Sequence, residues 1–319
     1  MQYARIAGTG ACLPEKCLLN KDLPPELNTT DEWITTRTGI LQRYIASETD
    51  SVASLGAKAA QRALEMAGVA NNAVEAIIVA TTSPQYLFPS TAALVQKELG
   101  CDKACAFDIQ AACSGFIYAL SMAQSLVESG KYKTILVIGS EIMSRLLDWT
   151  DRSTCVLFGD GAGAVLIQAS DTPGILSSKL YADGANGDLL TVGLTQNQSP
   201  LQQAASSAFV QMEGAQTFRV AVEKLGALVQ ELAEEGVTDI DWLIPHQANL
   251  RIIKATAEKL NMPLEKVVLT VAEHSNTSAA SIPLALDTAV RDGRIQRGQT
   301  LLLEAFGAGL TWGSVLVRF

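Results

Sequence analysis

Short apolar runs alternate with amphipathic stretches along most of the chain, and this alternation predicts an α/β protein. In the first half, the apolar runs predict strands and the stretches between them predict helices. The predicted strands are Val74–Ala80, Ala104–Ile109 and Thr134–Gly139, and the predicted helices are Ser90–Leu99 and Ser114–Ser129. The second of these helices is apolar on almost every side, so we expect it to be buried. Short β-branched strands separated by helices are typical of layered α/β folds.

The second half repeats this order of elements. Its predicted strands are Ile240–Ile244, Val267–Val271 and Thr300–Ala305, and its predicted helices are Asn249–Leu260 and Ser278–Arg291. We therefore predict duplicated βαβ halves, residues 1–172 and 173–319, although two similar α/β stretches can also arise by chance.

The repeat has a register, which two glycines mark. The spacing from Cys113 to Gly130 is the same as the spacing from Asn276 to Gly293. Cys113 and Asn276 thus each precede a helix at equivalent places. A pseudo-twofold pairing of the halves would bring both turns to one crevice, where open α/β sheets usually hold ligands.

Composition indicates a folded protein in a reducing compartment. Hydrophobic residues make up 48% of the 319 residues and charged residues 18%, which excludes a disordered chain. No apolar run reaches the roughly 18 residues of a membrane span, and the first residues lack the apolar region of a signal peptide. Six cysteines show no disulfide-scaffold spacing. We expect a soluble cytoplasmic protein that does not enter a membrane.

The net charge of −9 disfavours nucleic acid as the main partner, because phosphate binding needs a basic face. An acidic partner would require a local basic patch. Arg251, Lys254 and Lys259 have spacings that can place them on one face of the helix after His246. The alternative is a solvated helix side, and Glu258 would offset part of the charge.

Cys113 is the candidate nucleophile, because it lies between a predicted strand and the first turn of a predicted helix. The positive end of a helix dipole stabilises a thiolate, so we expect a lowered thiol pKa. Gly115 would let a substrate approach the turn closely. A cysteine in an apolar stretch can equally be inert packing.

Two histidines make the search for a partner of this cysteine short. His246 ends a predicted strand of the second half, close to where the duplication would place Cys113. His274 lies two residues before Asn276, whose amide can both donate and accept. A thiol, an imidazole and an oriented amide form a set used for acyl transfer, although a histidine at a strand end is usually only a polar cap.

Two glycine-rich segments and one cysteine pair have other interpretations. Residues 158–165 (FGDGAGAV) lack the helix of a dinucleotide fingerprint, and we predict a tight hairpin there. Residues 305–313 (AFGAGLTWG) follow a strand, and their N–H groups can point at a developing oxyanion. Cys101 and Cys105 have no matching ligand pair, so we predict no metal site.

Trp33 with Arg37, and Trp149 with Arg152, place an aromatic ring near a guanidinium along the chain. Such a pair can hold a flat purine and a phosphate. Taken alone, core packing is the simpler interpretation of both pairs.

Eight short motifs follow one another from near the start of the chain to its end. They are GTGACLPE, DEWITTRTGI, FPSTAALVQ, QAACSGF, FGDGAGA, PHQANLRII, NTSAASIPLALD and EAFGAGLTWGSVLVRF. Together they resemble the β-ketoacyl-acyl-carrier-protein synthase III family, the initiating condensing enzymes of bacterial fatty-acid synthesis in the thiolase-like superfamily. The resemblance implies a thiolase-like fold, with the duplicated halves in α-β-α-β-α layers.

The resemblance also implies a reaction, the decarboxylative condensation of an acyl-CoA with malonyl-acyl carrier protein. Cys113 matches the nucleophile that carries the acyl group as a thioester. His246 and Asn276 match the pair that binds the malonyl thioester carbonyl and stabilises the enolate. Because loss of carbon dioxide generates the carbanion, the site needs no strong base.

Further residues match binding positions of the family, which needs no cofactor because acyl-CoA is a substrate. The matches are Trp33, Arg37 and Arg152 for coenzyme A; Gly307, Ala308 and Gly309 for the oxyanion loop; Phe88 and Met212 for the acyl pocket; and Arg251, Lys254 and Lys259 for the acyl carrier protein. Phe88 matches a residue that reaches the partner subunit's acyl pocket, so the resemblance implies a homodimer.

Three positions depart from the usual family pattern. Ser275 replaces a glycine before Asn276, and it would add strain if that backbone has positive φ. Ala308 replaces the middle glycine of a triple and would project a Cβ near the substrate. Glu258 stands where the family can carry a second lysine, which would weaken the carrier-protein patch.

Three other functions compete with this one. A ketosynthase of specialised metabolism, of polyketide or alkylquinolone type, would share the fold and differ in its acyl substrates. A papain-like protease also uses cysteine, histidine and asparagine, but its local cysteine signature is absent and the duplicated pattern opposes it. A silent acyl-binding protein would not need all three side chains.

Overall fold

Two β-sheets form the frame of the chain, which a computed structural model describes over residues 2–193, 208–237 and 239–319. The first sheet contains β1 (Tyr3–Cys12), β4 (Ala76–Ala80), β5 (Cys105–Ile109), β6 (Thr134–Ile142) and β7 (Asp160–Ser170), in the order β1-β7-β6-β4-β5. The second contains β8 (Ile175–Ala182), β11 (Trp242–Pro245), β12 (Thr300–Gly307) and β13 (Thr311–Arg318), in the order β11-β12-β13-β8. Two small ribbons pair β2 (Lys16–Leu19) with β3 (Gln42–Ile45) and β9 (Leu190–Val192) with β10 (Val210–Met212).

Eight α-helices lie in the described part of the chain and pack on these sheets. They are α1 (Asp31–Thr38), α2 (Val52–Ala67), α3 (Thr91–Leu99), α4 (Gly115–Glu128), α5 (Gly214–Glu234), α6 (Leu250–Lys259), α7 (Val271–His274) and α8 (Ser281–Arg291). The predicted helices of both halves are therefore confirmed, with small differences at their ends.

The two sheets have the same topology, which confirms the duplication. In each sheet, the first strand along the chain pairs antiparallel with the last, and the last pairs antiparallel with the strand directly before it in the chain, β6 or β12. This next-to-last strand then pairs parallel with the second strand of its sheet, β4 or β11. The boundary at residue 172 stays a prediction; the strands of the first sheet end at Ser170 and those of the second begin at Ile175.

The predicted strand Val267–Val271 is wrong except at its first residue. Val267 forms a single parallel bridge with Leu243, at the place that β5 occupies in the first sheet. The backbone N–H groups of Thr270 and Val271 then donate to the side-chain oxygen of Gln247 at 2.9 and 3.0 Å. The Gln247 amide thus takes over these donors, and the chain turns into α7.

The helices and sheets alternate in five layers, as predicted. Side chains of α4 and α8, among them Phe116 and Ile282, share one apolar core with the inner faces of both sheets. Helices α2 and α3 cover the outer face of the first sheet, to which Ile77 and Val79 point, whereas Ile78 points inward. Helices α5 and α6 cover the outer face of the second sheet.

The predicted hairpin at residues 158–165 is wrong, because Asp160–Ser170 is the strand β7 between β1 and β6. Its glycines serve close packing instead. A Cβ on Gly163 would lie 2.5 Å from the backbone nitrogen of Leu284. Only glycine therefore lets α8 lie so close to this strand.

No helix of the described residues is long and apolar enough to span a bilayer.

Candidate active site

Cys113 lies in a tight turn between β5 and α4. The turn is a 3₁₀ helix of residues 112–114, which continues directly into α4, and Ala112 before the cysteine has a positive φ of 45°. The end of β12 packs against this turn, since a Cβ on Gly307 would lie 2.7 Å from the backbone nitrogen of Cys113. Gly115, which we expected to face a substrate, packs against Ala80 and Ala279 instead.

The prediction of a lowered thiol pKa at Cys113 is wrong. Burial raises the pKa of this thiol to about 12, a hydrogen bond with the Ser278 side chain lowers it only in part, and the buried carboxylate of Glu141 raises it further. Burial destabilises the thiolate but not the neutral thiol, and this loss of hydration outweighs the stabilisation that the turn gives to the thiolate. Cys113 therefore rests as a neutral thiol.

His246 follows β11 directly and lies between β12 and the start of α8. Its backbone N–H donates to the carbonyl of Glu304 at 2.8 Å, and its ring Nδ1 lies 2.6 Å from Ser281 Oγ. Burial lowers the pKa of His246 to about 3. The imidazole is therefore neutral at physiological pH, and it can act as a hydrogen-bond donor without carrying charge.

Asn276 is held by its backbone and by its side-chain oxygen. Its N–H donates to the carbonyl of Leu157 and its carbonyl accepts from the N–H of Gly159, both at 3.0 Å. Its Oδ1 accepts from the backbone N–H of Ser278 at 2.9 Å, which leaves the NH₂ end as a donor. Ser275, directly before it, has a φ of 59°, so the positive φ that we considered at this departure is present.

One cavity of about 460 Å³ brings the three side chains together. Cys113, His246 and Asn276 all line it, and so does Gly307. The other histidine, His274, is absent from its lining and instead makes an edge contact with the Tyr44 ring. Two turns and a strand end from separate halves thus converge on one space, as the duplication predicted.

Two cationic side chains flank an aromatic ring in the wall of the same cavity. Trp33, Arg37 and Arg152 line the cavity, and the guanidinium carbons of Arg37 and Arg152 lie 4.6 and 5.2 Å from the centre of the Trp33 ring. Arg251 also lines it and lies 5.0 Å from the centre of the Phe218 ring. Trp149 points elsewhere, since its ring N–H donates to the carbonyl of Ser144.

The residues predicted for the acyl pocket and the oxyanion loop divide between the cavity and other places. Met212 lines the cavity, but Phe88 is 86% exposed on the loop before α3. Of the predicted oxyanion loop, only Gly307 lines the cavity; Ala308 and Gly309 form the turn to β13 outside its lining.

Lys254 and Lys259 lie on α6, outside the cavity lining, as does Glu258. The stem of Lys259 lies over Gly226 of α5, and Arg251 also contacts α5 through the Phe218 ring. Arg251 and Lys259 thus share the side of α6 that faces α5.

The sequence reasoning missed several residues of the site. Ser278 lies beside the thiol, Ser281 beside the imidazole, and Phe218 beside Arg251. Asn249 caps α6 and donates to the carbonyl of Arg37, which ties two walls of the cavity together. The serines lie within the NTSAAS motif, and the polar residues two and five positions after Asn276 were the available signal.

A buried thiol, a neutral imidazole and an amide at the junction of two duplicated α/β halves define a condensing enzyme of the thiolase-like fold. The comparisons identify which one. Residues 107–184 match the family model for 3-oxoacyl-[acyl-carrier-protein (ACP)] synthase III, and residues 231–319 match the model for the C-terminal part of the same enzymes. The chain belongs to this family of acyltransferases, which confirms the resemblance.

Relatives and solved structures agree over the full length. The β-ketoacyl-[acyl-carrier-protein] synthase III of Thioalkalivibrio sulfidiphilus is 55% identical, with 100% of both chains covered. The crystal structure of 3-oxoacyl-[acyl-carrier-protein] synthase III from Aquifex aeolicus has a TM-score of 0.93 at 47% identity and covers 99% of this chain and 100% of its own. A priming β-ketosynthase of the R1128 polyketide pathway has a TM-score of 0.94 at 37% identity, with 99% and 96% covered.

Proposed function

We propose that this protein condenses an acyl-CoA with malonyl-acyl carrier protein to give β-ketoacyl-acyl carrier protein and carbon dioxide, initiating fatty-acid synthesis. Cys113 is the nucleophile, and His246 and Asn276 stabilise the enolate. The observation that carries this proposal is that the buried thiol of Cys113 and two neutral hydrogen-bond donors, His246 and Asn276, line the same cavity.

The first half-reaction transfers the acyl group to Cys113. The sulfur of Cys113 bonds to the acyl carbon, the bond from that carbon to the coenzyme A sulfur breaks, and the proton of the Cys113 thiol ends on coenzyme A. The step consumes one neutral thiol, that of Cys113, and releases another, that of coenzyme A. Because the proton moves with the leaving group, no free thiolate has to persist, and the high pKa of Cys113 does not oppose the overall transfer. Gly307 lies against the backbone nitrogen of Cys113 in the cavity wall, so the N–H groups of these two residues are our candidate donors to the oxyanion formed at the acyl carbon.

The second half-reaction joins the two acyl units. The malonyl carboxylate leaves as carbon dioxide, and its electron pair becomes the enolate, whose oxygen accepts hydrogen bonds from His246 and the Asn276 amide. The enolate carbon then attacks the acyl-cysteine, and the released Cys113 sulfur takes up one proton from solvent. Two neutral donors suit this step, because a cationic imidazole would protonate the carbanion that must attack.

The cationic wall of the cavity suits coenzyme A, and the helix beside it suits a carrier protein. Trp33 offers a ring for the adenine, with Arg152 beside it, and Arg37 supplies charge for the phosphates. Arg251, Lys254 and Lys259 are exposed on α6 and supply positive charge for an acidic carrier protein, which the net charge of −9 would otherwise repel. The proposed chemistry needs no cofactor, because acyl-CoA is a substrate.

Phe88 supports a homodimer. It is 86% exposed and adjoins Leu87 and Tyr86, which are 60% and 51% exposed. Three consecutive apolar side chains in water are unfavourable, and burial against a second copy would remove them from it. In that dimer Phe88 reaches the partner's acyl pocket, which Met212 also lines. We place the dimer in the cytoplasm, where thiols stay reduced.

Cys113→Ala tests the proposed function. Intact-mass measurement after incubation with acyl-CoA will show one acyl adduct on the wild-type protein and none on the variant, because the nucleophilic sulfur is gone. The chain offers a matched control in Cys155→Ala, which removes a buried thiol outside the cavity lining. An undiminished adduct on Cys113→Ala would exclude the proposed nucleophile.

The similarity to a priming ketosynthase of a polyketide pathway favours one second candidate, a condensing enzyme of specialised metabolism. It predicts the same acyl-cysteine but a different second substrate or starter. Product analysis with carrier-linked and CoA-linked malonate, across straight and branched acyl-CoA starters, separates the two.

A further inference from the structure

Ser281, the first residue of α8, makes the only side-chain hydrogen bond to the His246 ring found among the described residues. Its Oγ lies 2.6 Å from His246 Nδ1 and accepts the backbone N–H of Gln247 at 3.3 Å. Ser281 is 2% exposed, so water does not compete for these bonds. One hydroxyl thus meets an imidazole nitrogen and an amide hydrogen in a dry place.

The Gln247 backbone cannot turn away from Ser281, because the Gln247 side chain is bound at both ends. Its Nε2 donates to the carbonyls of Pro245 and Val268 at 2.8 and 3.1 Å. Its Oε1 accepts hydrogen bonds from the backbone N–H groups of Thr270 and Val271. These are the bonds that turn this segment away from the second sheet, which therefore has no fifth strand. The full set of four bonds holds the His246–Gln247 peptide in place.

This geometry decides between the two neutral forms of the imidazole. An N–H can only donate, so the Gln247 N–H occupies one lone pair of Ser281 Oγ. If the Ser281 O–H donates to Nδ1, then the hydroxyl, Nδ1 and the Gln247 N–H all have a hydrogen-bond partner. If Nδ1–H donates to Oγ instead, the buried hydroxyl hydrogen has no acceptor among the described residues, which is unfavourable.

We propose that Ser281 is a positioning residue that holds His246 in the tautomer protonated at Nε2. The inference rests on the proposed function for its consequence: only this tautomer presents an N–H to the thioester oxygen while the ring stays neutral. The other tautomer would present a lone pair, which repels a developing oxyanion. Ser281 thus acts through His246 and does not touch the substrate.

The ionisable groups that face His246 are consistent with a neutral ring. A second cavity of about 30 Å³ adjoins His246, and Glu304 is the only other ionisable residue in its lining. Burial raises the pKa of Glu304 to about 8, so this carboxyl is largely protonated at neutral pH and draws no second proton to the ring. On the other side, the large cavity contains the neutral thiol of Cys113 and the cations Arg37, Arg152 and Arg251, which disfavour an imidazolium.

Nitrogen-15 NMR of histidine-labelled protein tests the tautomer without any substrate. The chain has two histidines, and a His274→Gln variant assigns the signals of His246. We expect the resting enzyme to show the Nε2–H pattern, and Ser281→Ala to show a mixture of both tautomers. Ser281→Thr, which keeps the hydroxyl, is expected to restore the wild-type pattern.

A resting wild-type protein with the Nδ1–H pattern would overturn the proposal, and so would a Ser281→Ala spectrum identical to wild type. Because neither result depends on turnover, a failure of the proposed function would not be mistaken for a failure of this inference.

The half-reactions supply a second readout. We expect Ser281→Ala to slow condensation by about tenfold or more, which is less than the roughly 10²- to 10³-fold loss on removing a direct oxyanion donor. Acylation of Cys113, measured by intact mass, should stay near the wild-type rate. Ser140→Ala is the matched control, because it removes a buried hydroxyl that donates to the Val52 carbonyl outside the cavity lining. Equal losses in both half-reactions, or no recovery in a folded Ser281→Thr variant, would contradict a positioning role.

Discussion

The turns that carry Cys113 and Asn276 are built alike but present different chemistry. The residue directly before each one has a positive φ, 45° at Ala112 and 59° at Ser275. Cys113 lies within the 3₁₀ turn of residues 112–114, Asn276 lies just before the 3₁₀ turn Ser278–Ala280, and a helix follows each turn. A glycine with positive φ comes at the same spacing after Cys113 as after Asn276. Both turns therefore have a backbone reversal directly before the residue that lines the cavity.

Each turn is supported by the opposite half of the molecule. The Cys113 turn is bound by the second half, where the Thr311 hydroxyl donates to the Ala111 carbonyl at 3.0 Å and the Thr311 carbonyl accepts from the Ser114 hydroxyl at 2.9 Å. The Asn276 turn is bound by the first half through Leu157 and Gly159.

The two supporting segments share the pattern Phe-Gly-x-Gly, at residues 158–161 and 306–309. In each, the first glycine touches the turn: Gly307 lies against Cys113, and Gly159 lies against Ser275. The Cys113 turn and the Asn276 turn thus meet at an interface between the halves, and each is held by the opposite half.

The largest expected effect separates the roles of the two turns. Asn276→Asp keeps the shape of the side chain but replaces the donating NH₂ with an acceptor. We expect condensation to fall roughly 10²- to 10³-fold or more, because an oxyanion donor is lost. Acylation of Cys113 should continue, and single-turnover mass spectrometry of both steps checks this. Loss of acylation to the same extent would show that the turns do not divide the work.

A second prediction tests the crossed supports. Gly307→Ala places a methyl group 2.7 Å from the backbone nitrogen of Cys113 and 3.0 Å from that of Ser114, and neither backbone atom can yield. We expect the acylation rate to fall about 100-fold, since a shift of about 1 Å at a reacting group can cost that much.

Gly159→Ala is the matched change in the other half, where the added methyl group would meet the flexible Ser275 side chain. We expect Gly159→Ala to lower the free energy of unfolding less than Gly307→Ala does. Adding Ser275→Gly should restore part of this loss, with a coupling energy of about 1 kcal/mol. Thermal unfolding of the wild type, the two single variants and the double variant measures the coupling energy. An additive pair would refute the proposed contact.

The smallest expected effect concerns the backbone before Asn276. Ser275 has φ 59° and ψ −162°, a region that glycine occupies at much lower cost. Ser275→Gly should therefore raise the free energy of unfolding by ~1 kcal/mol and the melting temperature by about 2 °C. Ala112→Gly is the corresponding change at Cys113. A lower melting temperature for Ser275→Gly would mean that the serine hydroxyl, which donates to the His274 carbonyl, outweighs the strain.

Most of the order of elements, the duplication and the candidate set Cys113, His246 and Asn276 could be predicted from the amino-acid sequence. Hydrophobic periodicity reports which elements form, because burial of an apolar face is a property of each segment. The equal spacings to Gly130 and Gly293 related the two turns, and the motifs identified the family. These are local signals, repeated in order along the chain.

The tertiary structure alone decided the properties that depend on contacts between distant segments. The thiol pKa at Cys113 rises because the folded protein excludes water, an effect that outweighs the local helix end. Residues 158–165 form part of an internal strand because α8 packs onto their glycines, and residues after Val267 leave the sheet because the Gln247 amide binds their N–H groups. Burial, close approach and hydrogen-bond competition are set by neighbours far away in sequence, which no local pattern records.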